Sequence, residues 1–161
     1  MEDKDFSFKN LIVWQKAVQF TELVYTQVKL FPDSERYALS DQLRRAVVSI
    51  PSNIAEGAGR AGNRDYAHFL SIARGSLYET LTQIEIAVRL NYIVCDSDAY
   101  ASIISLAREI ARMLGSMLRK YGTIHRSDSR SPEFKSKEET HHCSTSTFDF
   151  DSTTTTTTNY N

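Results

Sequence analysis

Apolar side chains recur every three or four residues along four stretches of this 161-residue chain. No stretch alternates apolar with polar residues as a half-buried strand would. The first runs over residues 9–30. Leu11, Trp14, Val18, Tyr25 and Val28 form one stripe, and Val13, Ala17, Phe20, Val24 and Phe31 form an adjoining one; Ile12 and Leu23 fall on the opposite side. This arc is wider than the roughly 100° that one core requires, so part of the helix is expected to pack on something besides its own chain. Pro32 ends the stretch, because proline cannot continue a helix and pushes the residue before it toward extended geometry.

The second stretch carries Leu39, Leu43, Ala46, Ile50 and Ile54 and predicts a helix kinked at Pro51 and ending near Gly57. Asn63 suits the N-cap of a third helix, whose Tyr66, Leu70, Ala73, Leu77, Leu81, Ile84 and Val88 share a face. Glu85 and Arg89 stand four apart on its outer surface, in the order that favours an ion pair. Cys95-Asp96-Ser97-Asp98 closes that run and supplies caps for a fourth helix. There Tyr100, Ile103, Ala107, Ile110, Leu114, Met117 and Tyr121 keep a near-heptad spacing. Long helices joined by short links pack as antiparallel neighbours. The expected fold is therefore all-α, an up-down-up-down four-helix bundle over residues 6–121.

From Gly122 the period stops. Residues 122–161 are rich in Ser and Thr, with threonine at every position from 153 to 158. Such a segment has too few aliphatic groups to offset the entropy of ordering, so a disordered tail is expected.

Composition adds little to the fold but narrows the function. The chain is 41% apolar, enough for a core, and its six glycines and three prolines are few for a β-rich protein. A net charge of −1 conceals a gradient. Lys and Arg number four against six Asp and Glu over residues 1–35, six against three over 36–74, and five against five over 75–121. The middle of the chain is thus mildly basic, far less so than a dedicated nucleic-acid-binding domain. Two cysteines, Cys95 and Cys143, are too few for a disulfide framework. The acidic N-terminus lacks the apolar core of a signal peptide, and no run reaches the roughly 18–20 apolar residues of a membrane span. A cytoplasmic protein with reduced thiols is expected.

The candidate chemistry clusters in QLRRAVVSIPSNIAEGAGRAGNR, residues 42–64. Gly57-x-Gly59-x-x-Gly62 matches a dinucleotide fingerprint. That fingerprint needs a preceding strand, and here a helix precedes it, so a flexible helix–helix connection is expected instead. Its backbone N–H groups, with Arg60 and Arg64, can still hold a phosphate at the start of the third helix. Gln42, Arg45, Ser49, Asn53, Glu56 and Arg60 line one flank of the second helix. Ser76, Glu79, Thr80 and Gln83 line a matching flank of the third. Antiparallel packing would set Arg45 near Glu79 and Gln42 near Thr80. Such a stripe is either a surface for a ligand or nucleic acid, or a hydrogen-bonded network that fixes helix register or a subunit contact. Glu56 and Glu79 have no nucleophile or histidine base nearby in sequence, and His68 falls on the outer side of its helix. His141-His142-Cys143 lacks the second cluster that a structural zinc site requires. No catalytic residue, cofactor or metal site is expected.

Three blocks carry a resemblance: FKNLIVWQKA at 8–17, LFPDSERYALSDQLRRAVVSIPSNIAEGAGR at 30–60 and FLSIARGSLYETLTQIEIA at 69–87. In this order they resemble the four-helix-bundle proteins encoded within 23S rRNA intervening sequences, over about residues 6–121. The resemblance implies a bundle assembling as a ring-like homopentamer, with no established enzymatic activity. It also implies a fold similar to that of accessory proteins of diversity-generating retroelements, which bind a reverse transcriptase and nucleic acid. The homopentamer agrees with the wide apolar arc of the first helix. A role in RNA or ribonucleoprotein binding for Arg44, Arg45, Arg60 and Arg64 rests on their charge and position. The alternative is a protein-interaction scaffold that binds no nucleic acid.

Overall fold

A computed structural model describes residues 4–122. Its four helices are α1 (Ile12–Val28), α2 (Leu39–Ala58), α3 (Asn63–Arg89) and α4 (Asp98–Tyr121), and a 3-10 segment, Lys4–Asn10, precedes α1. Consecutive helices pack on one another and α4 closes against α1, giving the expected all-α antiparallel bundle. The expected disordered tail, with His141, His142 and Cys143, lies outside the described residues. No helix among the described residues is long and apolar enough to cross a membrane.

The apolar period of each helix becomes the core. Phe20 and Val24 of α1, Leu43, Val47, Ile50 and Ile54 of α2, Leu70, Leu77 and Ile84 of α3, and Ile103, Ile110 and Leu114 of α4 are all fully buried. Burying each such side chain stabilises the fold by about 1.5–3 kcal/mol. The wide arc of α1 resolves differently from expectation. Leu23 packs against the core rather than facing away, and Leu11, Trp14 and Tyr25 are half-buried beside it. The 3-10 segment folds back so that the Phe8 ring meets Trp14 edge-on, with centroids 5.2 Å apart. Ile12, 63% exposed, is the apolar residue of α1 left facing outward.

Pro51 sits inside one continuous helix. The N–H it lacks would have met the Val47 carbonyl one turn earlier. The Thr21 hydroxyl of α1 reaches into that gap, lying 3.3 Å from the Val47 oxygen and 2.8 Å from its own helix's Ala17 oxygen. A neighbouring helix thus partly replaces the missing donor.

The helix ends have separate causes. Ala38 offers α2 no side-chain cap, and the Glu35 carboxylate instead accepts from the Leu39 N–H at 3.2 Å. Its other oxygen accepts from the Tyr92 hydroxyl at 3.2 Å, while Phe31 lies against the Tyr92 ring at 5.4 Å. Burial, then the Glu35 charge and hydrogen bond, hold the Tyr92 hydroxyl pKa above its ordinary value. This contact joins the α1–α2 link to the α3–α4 link. Asn91 turns the chain out of α3 at φ 58°, a left-handed conformation that Asn tolerates better than most residues. Ser97 caps α4 as expected, accepting from the Tyr100 N–H at 3.2 Å. Asn63 departs from expectation. Helical bonding starts one residue earlier, because the Gly62 carbonyl already accepts from the Tyr66 N–H at 3.0 Å, and Asn63 becomes the first helical residue.

Candidate functional site

Arg44, Arg45, Arg60 and Arg64 do not form one patch. Arg45 and Arg60 are fifteen residues apart on and just beyond α2, which at 1.5 Å per residue separates the two pairs by about 22 Å. Two of the four are also occupied. Arg45 pairs with Asp41 and Arg60 with Glu56, each one turn back along the chain. Such half-exposed i,i+4 pairs contribute only about 0.3–0.5 kcal/mol, so either arginine stays open to a stronger anion. The side chains of Arg44 and Arg64 have no ion partner among the described residues.

α2 ends at Ala58, near the expected Gly57, and residues 59–62 link it to α3, but Gly57 is not part of that connection. Gly57 is buried inside the helix, and a Cβ there would come within 2.9 Å of both Phe69 Cβ and the Tyr66 ring. The glycine lets α2 and α3 meet closely where they turn. Arg60 lies over the Phe69 ring at 5.0 Å, and Tyr66 packs against Tyr121 at 5.0 Å. Burial, then the neighbouring Tyr121, raise the Tyr66 hydroxyl pKa. An anion at the start of α3 would meet Asp65, which already sets a negative charge in that first turn. This weakens the expected phosphate cradle of Arg60 and Arg64.

The polar flanks of α2 and α3 meet at one point. Ser76 Oγ donates to Ser49 Oγ at 2.9 Å, the side-chain hydrogen bond that joins the two helices among the described residues. Asn53 Nδ2 donates to the Ser49 carbonyl at 2.7 Å and lies 2.9 Å from Ser49 Oγ; buried Thr80 donates to the Ser76 carbonyl at 2.8 Å. The other members stay on their own helices. Glu79 accepts from Gln83 at 3.2 Å, Glu56 holds Arg60, and Gln42 is exposed. The Gln83 Oε1 atom is buried with no hydrogen-bond partner. His68 is exposed, as its position on the helix predicts.

Sequence reasoning missed an open groove of about 450 Å³ over the first half of α2, lined by Tyr25, Asp41, Arg44, Arg45, Val48 and Ser52. Tyr25 comes from α1, so the groove exists only once α1 and α2 pack. Also missed was the outer side of α3, where Ile72, Ile86 and Leu90 stay exposed. Their separations of 14 and 18 residues return each to nearly the same helical angle, with exposed Gly75 and Glu79 between them. That spacing was readable beforehand, but the inward stripe of the same helix is longer and masked it.

Comparison with solved structures finds a protein of unknown function from the S23 ribosomal protein family of Bacteroides thetaiotaomicron VPI-5482. It is 28% identical, with a TM-score of 0.60, and the match covers 67% of this chain and 99% of that one. Among curated proteins, none matches. The family model described as 23S rRNA-intervening sequence protein matches residues 9–116. A match over that span takes in all but the end of the bundle, and the chain belongs to the 23S rRNA-intervening sequence protein family.

Proposed function

We propose that this chain is a non-enzymatic subunit of a homo-oligomer, a ring of five, that associates with RNA or a ribonucleoprotein. The observation that carries the reading is the outer side of α3, where Ile72, Ile86 and Leu90 face outward although the bundle's own core is complete. Large apolar side chains left on one helix side, beyond what the bundle's own core uses, support a surface that a further chain covers. Unpaired Arg44 and Arg64 supply the positive charge, and the family's description supplies the connection with 23S rRNA. One chain offers few cations, but a ring repeats each of them five times. Multivalent attachment then strengthens a contact that is weak singly. Glu56 and Glu79, carboxylates of the polar flanks of α2 and α3, are engaged by Arg60 and Gln83.

Light scattering on the full chain tests the assembly: a mass of five chains is expected, and I72D/I86D should return single chains with the helical signal intact. Single wild-type chains at micromolar concentration would end the ring reading. RNA affinity should fall steeply with salt, because each neutralised phosphate releases counterions. Affinity indifferent to salt would contradict the phosphate contacts. A second reading, a scaffold that binds protein alone, draws on the pairing of Arg45 with Asp41 and Arg60 with Glu56, which halves the unpaired charge. It predicts crosslinked protein and no crosslinked RNA.

A further inference from the structure

Resting on the RNA reading above, we propose that the groove over the first half of α2 receives one nucleotide of single-stranded RNA, its base against Tyr25 and Val48 and its phosphate on Arg44. Three features meet in that one concavity. The Arg44 guanidinium lines it and has no ion or hydrogen-bond partner among the described residues. The Tyr25 side chain lines it from α1, packed against the core yet with its hydroxyl unpartnered among the described residues. Val48, 41% exposed and one turn along α2 from Arg44, adds an aliphatic platform to the same lining, with Asp41, Arg45 and Ser52.

This set suits a splayed-out nucleotide better than a duplex. A duplex presents a ladder of phosphates and hides its bases, so it would meet the Asp41 carboxylate and leave Tyr25 and Val48 unused. An unstacked base needs an apolar or aromatic surface, and a single cation then holds its phosphate. Asp41, which Arg45 engages through one oxygen, retains lone pairs that accept a base N–H or a ribose 2′-hydroxyl. A free nucleotide has the same chemistry but would gain nothing from repetition of the groove in a ring, whereas a strand touching several copies would.

The test uses the full chain and a fluorescein-labelled 20-nucleotide RNA of mixed sequence, read by anisotropy, as a single strand and annealed to its complement. The single strand should bind more tightly. R44Q and V48E, both outward substitutions, should each weaken it by roughly tenfold or more, while R108Q on α4 changes nothing. Y25F, which keeps the ring, should retain more affinity than Y25L at matched helical content. Equal binding of strand and duplex would overturn the inference. So would competition by AMP at the same nucleotide concentration as the strand. If RNA binds but only R64Q weakens it, the groove falls and the RNA reading stands. If the wild-type chain binds no RNA at all, the RNA reading itself falls.

Discussion

Gly57 and Gly75 are both glycines within helices, where propensity alone favours alanine by about 1 kcal/mol, yet the space around them is opposite. At Gly57 a methyl group would meet Phe69 Cβ and the Tyr66 ring at 2.9 Å, and both belong to the packed start of α3. Overpacking of that kind costs about 1–3 kcal/mol, which outweighs the propensity gain. At Gly75 nothing lies within 4 Å. G57A should therefore destabilise the chain and G75A should stabilise it by up to about 1 kcal/mol, both read as urea midpoints at unchanged slope. A stabilised G57A would mean that Tyr66 and Phe69 yield easily, and the close meeting of α2 and α3 would not be a constraint. Sequence alone misjudged Gly57. Gly57 looked like part of a flexible connection because it stands beside Gly59 and Gly62, and nothing local reveals that an aromatic pair from the next helix presses on it.

Within α2 the telling feature is a proline whose missing donor is replaced from α1. Pro51 leaves the Val47 carbonyl without its usual partner, and Thr21 stands 3.3 Å away with one proton to share between Val47 and Ala17. Replacing Thr21 by valine keeps the shape but removes the hydroxyl, so T21V should destabilise by about 1 kcal/mol. In a P51A background the backbone N–H returns to Val47 and the loss should shrink. A double-mutant cycle measures the difference. Equal losses in both backgrounds would show that Thr21 serves Ala17 alone. The four helices were legible because each repeats its apolar face over many turns, as Leu70, Ala73, Leu77, Ile84 and Ala87 do in α3. The Asp41–Arg45 and Glu56–Arg60 pairs were equally readable at their four-residue spacing. The groove was not, since Tyr25 and Arg44 are brought together by packing between helices. Ser49 and Ser76 show the intermediate case, in which each polar flank was visible but the single point of contact was not.

Across the whole bundle, the closing contact is the one between the first and last helices, and it carries an ion pair. Lys16 Nζ of α1 lies 2.6 Å from Glu109 Oε2 of α4, about a third of each side chain being exposed. The hydrogen bond from Lys16, then its charge, hold the Glu109 carboxyl pKa below its ordinary 4.5, with a smaller contribution from Arg112. A carboxyl with a lower pKa folded than unfolded contributes stability that is fully present above the unfolded value. That contribution drains away as pH falls through the folded one. The pair therefore supports the α1–α4 seam at neutral pH and loses that contribution as acid protonates Glu109, below the ordinary carboxyl range. K16M removes the partner and brings the Glu109 pKa back toward ordinary, so its stability deficit against wild type should be largest near pH 7 and narrow steadily toward pH 3. E109Q should show the same convergence, because protonated Glu and Gln are alike in charge. Urea melts of the three proteins at several pH values check this. Deficits that stay constant with pH would show that the loss comes from the aliphatic stem of Lys16 packing at the seam, with no share from its charge.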